Sequence, residues 1–229
     1  MYTIIPEQFT VTSFDDFFDQ YCQILGLTYD RLMELKDEWD DGTHQLNSTD
    51  DFNDGEFPCH VWTNSDGQIH RNSTFNVAGN EITKPAMIYP DGYVIWFQNN
   101  KTHCDNGIAN IAYDPNTHKI LNLTFMLNDH THNDYVCAYV NRDHRDMCVR
   151  KTASHYIHGH CHGQQVVVDY NNEKFIEQYD HNKLVNSIET PNDEFNKSLE
   201  NMLYELSLSP YVNMYTEQKY TLELPNVLI

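Results

Sequence analysis

Residues 13–25, SFDDFFDQYCQIL, place Phe14, Phe17, Phe18, Tyr21, Ile24 and Leu25 at helical spacing. Ser13 with Asp16 suits a capping box and Gly26 supplies a stop, so the pattern predicts an amphipathic helix. A second helix is expected directly after it, capped by Thr28, striped by Leu32, Leu35 and Trp39, and ended by Gly42. The two read as a helical hairpin. The acidic stretch from Asp40 to Glu56, rich in Asp, Asn, Ser and Gly, reads as a loop.

From about Phe57 to Tyr179 the spacing changes. Short apolar or aromatic runs alternate with PDG, NN, DPN, ND, NRD and HG, which are turn signals between strand-length segments. Helical spacing returns in TPNDEFNKSLENMLYELSL, with Phe195, Leu199, Met202, Leu203 and Leu206 on one face. Thr190 is expected to cap it, Pro191 to take the first position, and Asp193 and Glu194 to sit in the first turn. The tail KYTLELPNVLI alternates like a strand that adds to a sheet edge. Three segments follow: a helical hairpin and acidic loop over 1–56, a hairpin region over 57–180, and a helix with an edge strand over 181–229.

Within the middle segment four stretches align: VWTNSDGQIHR (61–71), IWFQNNKTHCD (95–105), TFMLNDHTHND (124–134) and SHYIHGHCHGQ (154–164). Each starts with bulky residues, passes a turn pair (Asp66-Gly67, Asn99-Asn100, Asn128-Asp129, His158-Gly159) and reaches a histidine three residues later. The anchors are His70, His103, His132 and His162, 33, 29 and 30 residues apart. Between them, KPAMIYPDGY, GIANIAYDPN, DYVCAYVNRD and QQVVVDYNNE each offer an alternating strand near a tyrosine, then a turn. A two-stranded unit cannot bury its own apolar face, whereas stacked hairpins can, with Trp62, Trp96, Phe125 and His155 or Tyr156 as a ladder along one side.

GYVIWFQNNKTHCDNGIANIAY, residues 92–113, closely matches a pattern of two aromatics, x, Asn, Gly, Lys, x, His, then an acidic turn and an Ala-x-Ile-x-Tyr strand, with Asn100 in the place of the Gly. In this it resembles the MORN-like variant repeats of bacterial, phage and giant-virus proteins. The other copies depart from the pattern: Gln68, His130 and His160 replace the Lys, and the Gly survives as Gly67 and Gly159. The resemblance implies an elongated, meandering antiparallel sheet that holds partners and has no fixed catalytic chemistry. The expected fold is α+β: about four hairpin repeats between an N-terminal helical hairpin and a C-terminal helix.

The histidine-rich run HYIHGHCHG, residues 155–163, invites a metal reading, because on an extended chain His158, His160 and His162 would project to one side. The repeat register argues otherwise. It puts His158-Gly159 in a turn, His160 at a solvent-facing position and His162 at the recurrent structural position, where an imidazole is expected to pair with backbone carbonyls or carboxylates. A metal-dependent alternative would use His130, His132, His158, His160 and His162 as ligands for hydrolysis of a phosphate ester. HTHND at 130–134 is similar to the opening of a metallo-β-lactamase HxHxDH motif, yet Tyr135 stands where its last histidine belongs. In RDHRD, residues 142–146, Arg142, His144 and Arg145, followed by Arg150 and Lys151, suit either an acidic ligand or ion pairs within the fold. The six cysteines form no CxxC pair, so free thiols are expected, and no Walker loop, GxGxxG turn or GxSxG elbow is present.

Charge changes the picture of partners. The net charge is −20, and residues 1–58 hold fourteen acids against Arg31 and Lys36. Such a surface repels phosphates, which argues against direct nucleic-acid binding, and attracts a protein with a basic surface. Asp37, Glu38, Asp40, Asp41, Asp50, Asp51, Asp54 and Glu56 form the expected binding surface. With no 18-residue apolar run and no basic-then-apolar leader at the start, a cytoplasmic protein without a membrane span is expected. The bias toward Asn, Asp, Tyr and Ile suits an AT-rich coding sequence of phage or viral type, which would place the protein in a host cytoplasm. The functional expectation is a non-enzymatic interaction module without a cofactor, acting as an acidic decoy or inhibitor of a basic host protein. Oligomeric state is left open by these patterns.

Overall fold

The computed structural model describes residues 9–30, 33, 43–48, 58–71, 73–77, 80–89, 92–105, 107–133, 136–142 and 150–209. The expected stripe of the second helix (Leu32, Leu35, Trp39), the tail at 219–229, His144, Arg145 and the eight acidic surface residues lie outside them.

Among the described residues two helices can be bounded, α1 Phe14–Leu25 and α2 Asn192–Leu208. In chain order the strands are β1 Thr43–Ser48, β2 Pro58–Thr63, β3 Thr74–Val77, β4 Asn80–Thr83, β5 Met87–Tyr89, β6 Tyr93–Ile95, β7 Phe97–Gln98, β8 Lys101–Thr102 and β9 Asn110–Tyr113. They continue as β10 Ile120–Thr124, β11 Met126–Leu127, β12 His130–Thr131, β13 Tyr139–Asn141, β14 Lys151–Ile157, β15 His160–Val168, β16 Lys174–Asp180 and β17 Lys183–Glu189. Eleven of them make one antiparallel sheet in the order β1-β2-β5-β6-β9-β10-β13-β14-β15-β16-β17, and β3-β4, β7-β8 and β11-β12 are separate two-stranded hairpins. The fold is therefore α+β, a large antiparallel sheet with an N-terminal and a C-terminal helix.

Helix α1 forms as its pattern dictates. Ser13 Oγ accepts the Asp16 amide at 3.1 Å, and Asp16 Oδ2 accepts the Thr12 amide at 2.9 Å, one residue before the position a strict capping box would use. At the other end Gly26 takes φ 70°, and the Gly26 and Leu27 amides close on the Gln23 and Cys22 carbonyls. Helix α2 buries all five residues of its stripe, but its start differs from expectation. Pro191 is the cap position with no side-chain cap bond, and the Thr190 hydroxyl donates to the Ile188 carbonyl at 2.8 Å instead. With the helix starting at Asn192 and Pro191 as its cap, Thr190 stands one residue too early for its oxygen to accept a first-turn amide.

The core lies between the helices and one sheet face. Alternation puts Ile88, Val94, Ile111, Leu123, Val140, Ala153, Val166 and Ile176 directly opposite one another across successive strands, making one apolar row from β5 to β16. Phe17, Phe18, Tyr21 and Leu25 of α1 and Phe195, Leu199, Met202 and Leu203 of α2 complete the same cluster. Each large side chain removed from water contributes about 1.5–3 kcal/mol, so this layer dominates the fold's stability. The Tyr21 hydroxyl donates to the Cys137 carbonyl at 3.1 Å, fixing α1 above the row, and the Val11 amide donates to Glu200 of α2 at 3.1 Å.

The sheet reaches beyond the expected boundaries at both ends. Thr43–Ser48, read as acidic loop, is strand β1, paired residue by residue with β2. Its local composition is a poor strand signal, and the ladder of a neighbouring strand overrides it. At the far end β16 and β17 form a further hairpin whose turn, His181-Asn182, falls past residue 180.

Candidate functional site

Where the chain leaves the large sheet, it does so at an aromatic. The Trp62, Trp96 and Phe125 amides donate to the Ala86, Ala109 and Ala138 carbonyls at 3.0, 2.9 and 2.9 Å, and their own carbonyls each accept the amide of His70, His103 and His132 at 3.0 Å. The aromatics and alanines are all buried. These paired bonds close each excursion into a loop and leave its histidine facing the next one. The two-residue turns demand positive φ: Asn99 51° and Asn100 63°, Asn128 51° and Asp129 67°, His158 48° and Gly159 80°, His181 48° and Asn182 67°.

Each histidine then clasps the following turn. His70 Nδ1 accepts the Asn99 amide at 3.1 Å, His103 Nδ1 the Asn128 amide at 3.1 Å, and His132 Nδ1 the His158 amide at 3.2 Å. The second turn residue replies: Asn100 Oδ1 accepts the Ile69 amide at 2.6 Å, Asp129 Oδ1 the Thr102 amide at 2.7 Å, and Asn182 Oδ1 the Cys161 amide at 2.6 Å. The Nδ1 atoms therefore meet backbone amides, where backbone carbonyls or carboxylates were expected, and a carboxylate is met at the other nitrogen of His103. An Nδ1 that accepts carries its proton on Nε2, and His103 Nε2 lies 2.7 Å from Asp105 Oδ1 in agreement with that. Gly159 suits its position, since a Cβ there would stand 3.1 Å from His130 Nδ1 at φ 80°.

The five histidines of the metal alternative are separated by this arrangement. His132 and His158 stack at 4.5 Å and are tied into one clasp, His130 sits on β12 against Gly159, and His160 Nδ1 lies 2.9 Å from the Asn182 side-chain amide. His162 is the exception. Its Nδ1 has no hydrogen bond and faces Asp180 Oδ1 at 3.4 Å, and its ring lies 5.0 Å from that of His181. His181 Nδ1 is 2.5 Å from the same Asp180 oxygen, which with the nearby imidazoles holds the Asp180 carboxyl below the ordinary carboxylate range. His162, Asp180 and His181 are the one group of three metal-capable residues among the described residues. Asp180 and His181 escaped the sequence reading, although the turn pair His181-Asn182 carried the signal.

The described basic residues of this stretch, Arg142, Arg150 and Lys151, pair within the fold. Arg142 pairs with Asp19 of α1, donates through Nε to the Ile120 carbonyl at 2.7 Å and lies 4.5 Å over the Phe18 ring. Lys151 reaches Asp15 at 2.5 Å, and Arg150 lies 3.8 Å from Glu177. Beside them a cleft of about 360 Å³ is lined by Asp19, Cys22, Tyr29, His118 and Arg142 among others, with Tyr29 stacked on His118 at 3.9 Å. Burial pushes the Cys22 thiol up to about 12, which favours its protonated form at neutral pH. The five described cysteines are buried free thiols. No described helix is long and apolar enough to cross a membrane. No protein-family model and no curated protein matches the chain.

Proposed function

We propose that the chain is a non-enzymatic protein-interaction module, an elongated stack of hairpin units of MORN-like type whose acidic surface engages a partner protein with a basic surface. The observation that carries this reading is β17. Every residue of it is exposed, and Leu184, Val185 and Ile188 stand 47%, 62% and 55% open at the end of the sheet. Ile188 continues the apolar row, being opposite Ile176, so the edge offers both a backbone ladder and aliphatic contact. The net charge of −20 adds long-range attraction for a cationic surface. A phage or viral inhibitor of a basic host protein fits that chemistry.

The test is affinity capture from host lysate at low and high salt, repeated with an Ile188→Glu, Val185→Glu double variant. The module reading expects a basic partner that is lost at high salt and lost with the double variant. Capture indifferent to both would remove the reading. The alternative, a histidine-metal hydrolase of phosphate esters, is the weaker one: of its five ligands His162 alone joins a three-donor group among the described residues.

A further inference from the structure

His162 stands at the clasp position. It lies seven residues beyond His155, as His132 lies seven beyond Phe125 and His103 seven beyond Trp96. The side-chain half of its clasp is present, because Asn182 Oδ1 accepts the Cys161 amide and the Asn182 amide donates to the Cys161 carbonyl at 2.9 Å. The histidine half is missing. His162 Nδ1 is hidden from solvent and makes no hydrogen bond, while its three counterparts each accept a turn amide.

What it faces is a set of donors. Gly163 pairs with Tyr179 at the end of the β15–β16 ladder, His162 Nδ1 lies 3.4 Å from Asp180 Oδ1, and His181 follows in the turn. One ligand atom from each of the three residues falls within 4.8 Å of the others. We propose that His162, Asp180 and His181 form a binding site for one divalent transition-metal ion of the zinc class, which closes the last clasp in place of the missing hydrogen bond.

The donor chemistry selects the ion. Two imidazoles and one carboxylate suit zinc and its neighbours, whereas calcium and magnesium favour all-oxygen sets. Ligands about 2.0–2.1 Å from a tetrahedral ion are about 3.3 Å apart, and the His162 to Asp180 separation of 3.4 Å meets that. The His181 to Asp180 contact of 2.5 Å must open, which the 70% exposed His181 ring permits. The fourth position faces solvent and takes water. Lys183, the charged residue in register with Asp180 on β17, is exposed. The inference concerns binding alone and stands whether or not the chain is an interaction module.

Chelator-stripped full-length protein is titrated with zinc chloride by calorimetry and with cobalt(II) by visible absorption, and its thermal midpoint is followed with and without zinc. Asp180→Asn and His181→Asn remove donors, and Asn at 181 tolerates the positive φ, so folding is retained. Expected are one zinc equivalent, a tetrahedral cobalt spectrum and a zinc-dependent rise in midpoint. Each variant should weaken binding at least about tenfold and abolish the rise, while His130→Ala keeps all three. No stoichiometric binding, or binding that survives both variants, or equal loss in His130→Ala, overturns the proposal.

Discussion

The first three clasps and the last one use the same residue at the same spacing and do different work with it. At His70, His103 and His132 the next turn presents an amide to Nδ1, and the ring becomes a neutral acceptor within the backbone network. At His162 the Asn182 half of the clasp persists, yet Nδ1 turns to Asp180 and His181. The difference shows that the imidazole's role is set by the group opposite it. An amide makes it structural, and a carboxylate with a second imidazole makes it a potential ligand.

The comparison extends to the residues that precede each histidine. Trp62, Trp96 and Phe125 fill the first three positions and are buried in the core, and Trp96 Nε1 also donates to the Thr83 carbonyl at 2.8 Å. The fourth position is His155, whose ring meets Gln164 and Glu205. The largest effect is therefore expected from Trp96→Ala, a loss of roughly 3–5 kcal/mol in urea unfolding, from a cavity in the main core. A loss below about 1 kcal/mol would mean that the aromatic positions do not anchor the stack.

Next comes the direct contrast. His103→Ala strips the acceptor from the Asn128 amide within a nearly buried site and should cost about 1–3 kcal/mol. His162→Ala in metal-free protein leaves no amide unpaired and should stay within about 0.5 kcal/mol. Equal losses would erase the distinction between the two kinds of clasp. Smaller, and equal at both ends, are Asn100→Ala and Asn182→Ala. Each loses one amide acceptor and replaces an asparagine that tolerates positive φ by alanine, for about 1–2 kcal/mol in both variants, the exposed Asn182 contact to His160 adding little. A larger gap between those two would show that the side-chain half also differs along the sheet.

Much of this architecture is written locally. The caps of α1, the apolar stripes of both helices, the aromatic positions and the turn pairs all follow from spacing and turn chemistry within a dozen residues. What escaped depends on partners distant in the chain. Thr43–Ser48 becomes a strand because β2 pairs with it, although its own composition reads as loop. The clasp amides come from the following hairpin, so the sequence announced a recurrent histidine without naming its acceptor role. Asp180 joins His162 through the β15 to β16 register, which no local pattern encodes. Thr190 was misassigned because a capping hydroxyl and a strand-end hydroxyl look alike in sequence.

The smallest effect tests the polar replacement in the aromatic series. Burial disfavours charge on His155, but the Glu205 carboxylate 3.3 Å from Nε2 and the Gln164 carbonyl 2.9 Å from Nδ1 outweigh it and raise its pKa above the ordinary 6.5. Both ring nitrogens face acceptors, so the imidazolium satisfies them best. A raised folded value means the charged ring stabilises the native state fully below about 6.5, and the increment fades as pH climbs through the folded value. Glu205→Gln removes the carboxylate and should cost up to about 1 kcal/mol at pH 5.5 in chemical denaturation, narrowing toward zero at pH 8.5. NMR titration of His155 should show its midpoint falling in the variant. If the midpoint stays put, or the stability gap widens as pH rises, the link between β14 and α2 through this pair is not electrostatic, and the fourth position is held by packing like the other three.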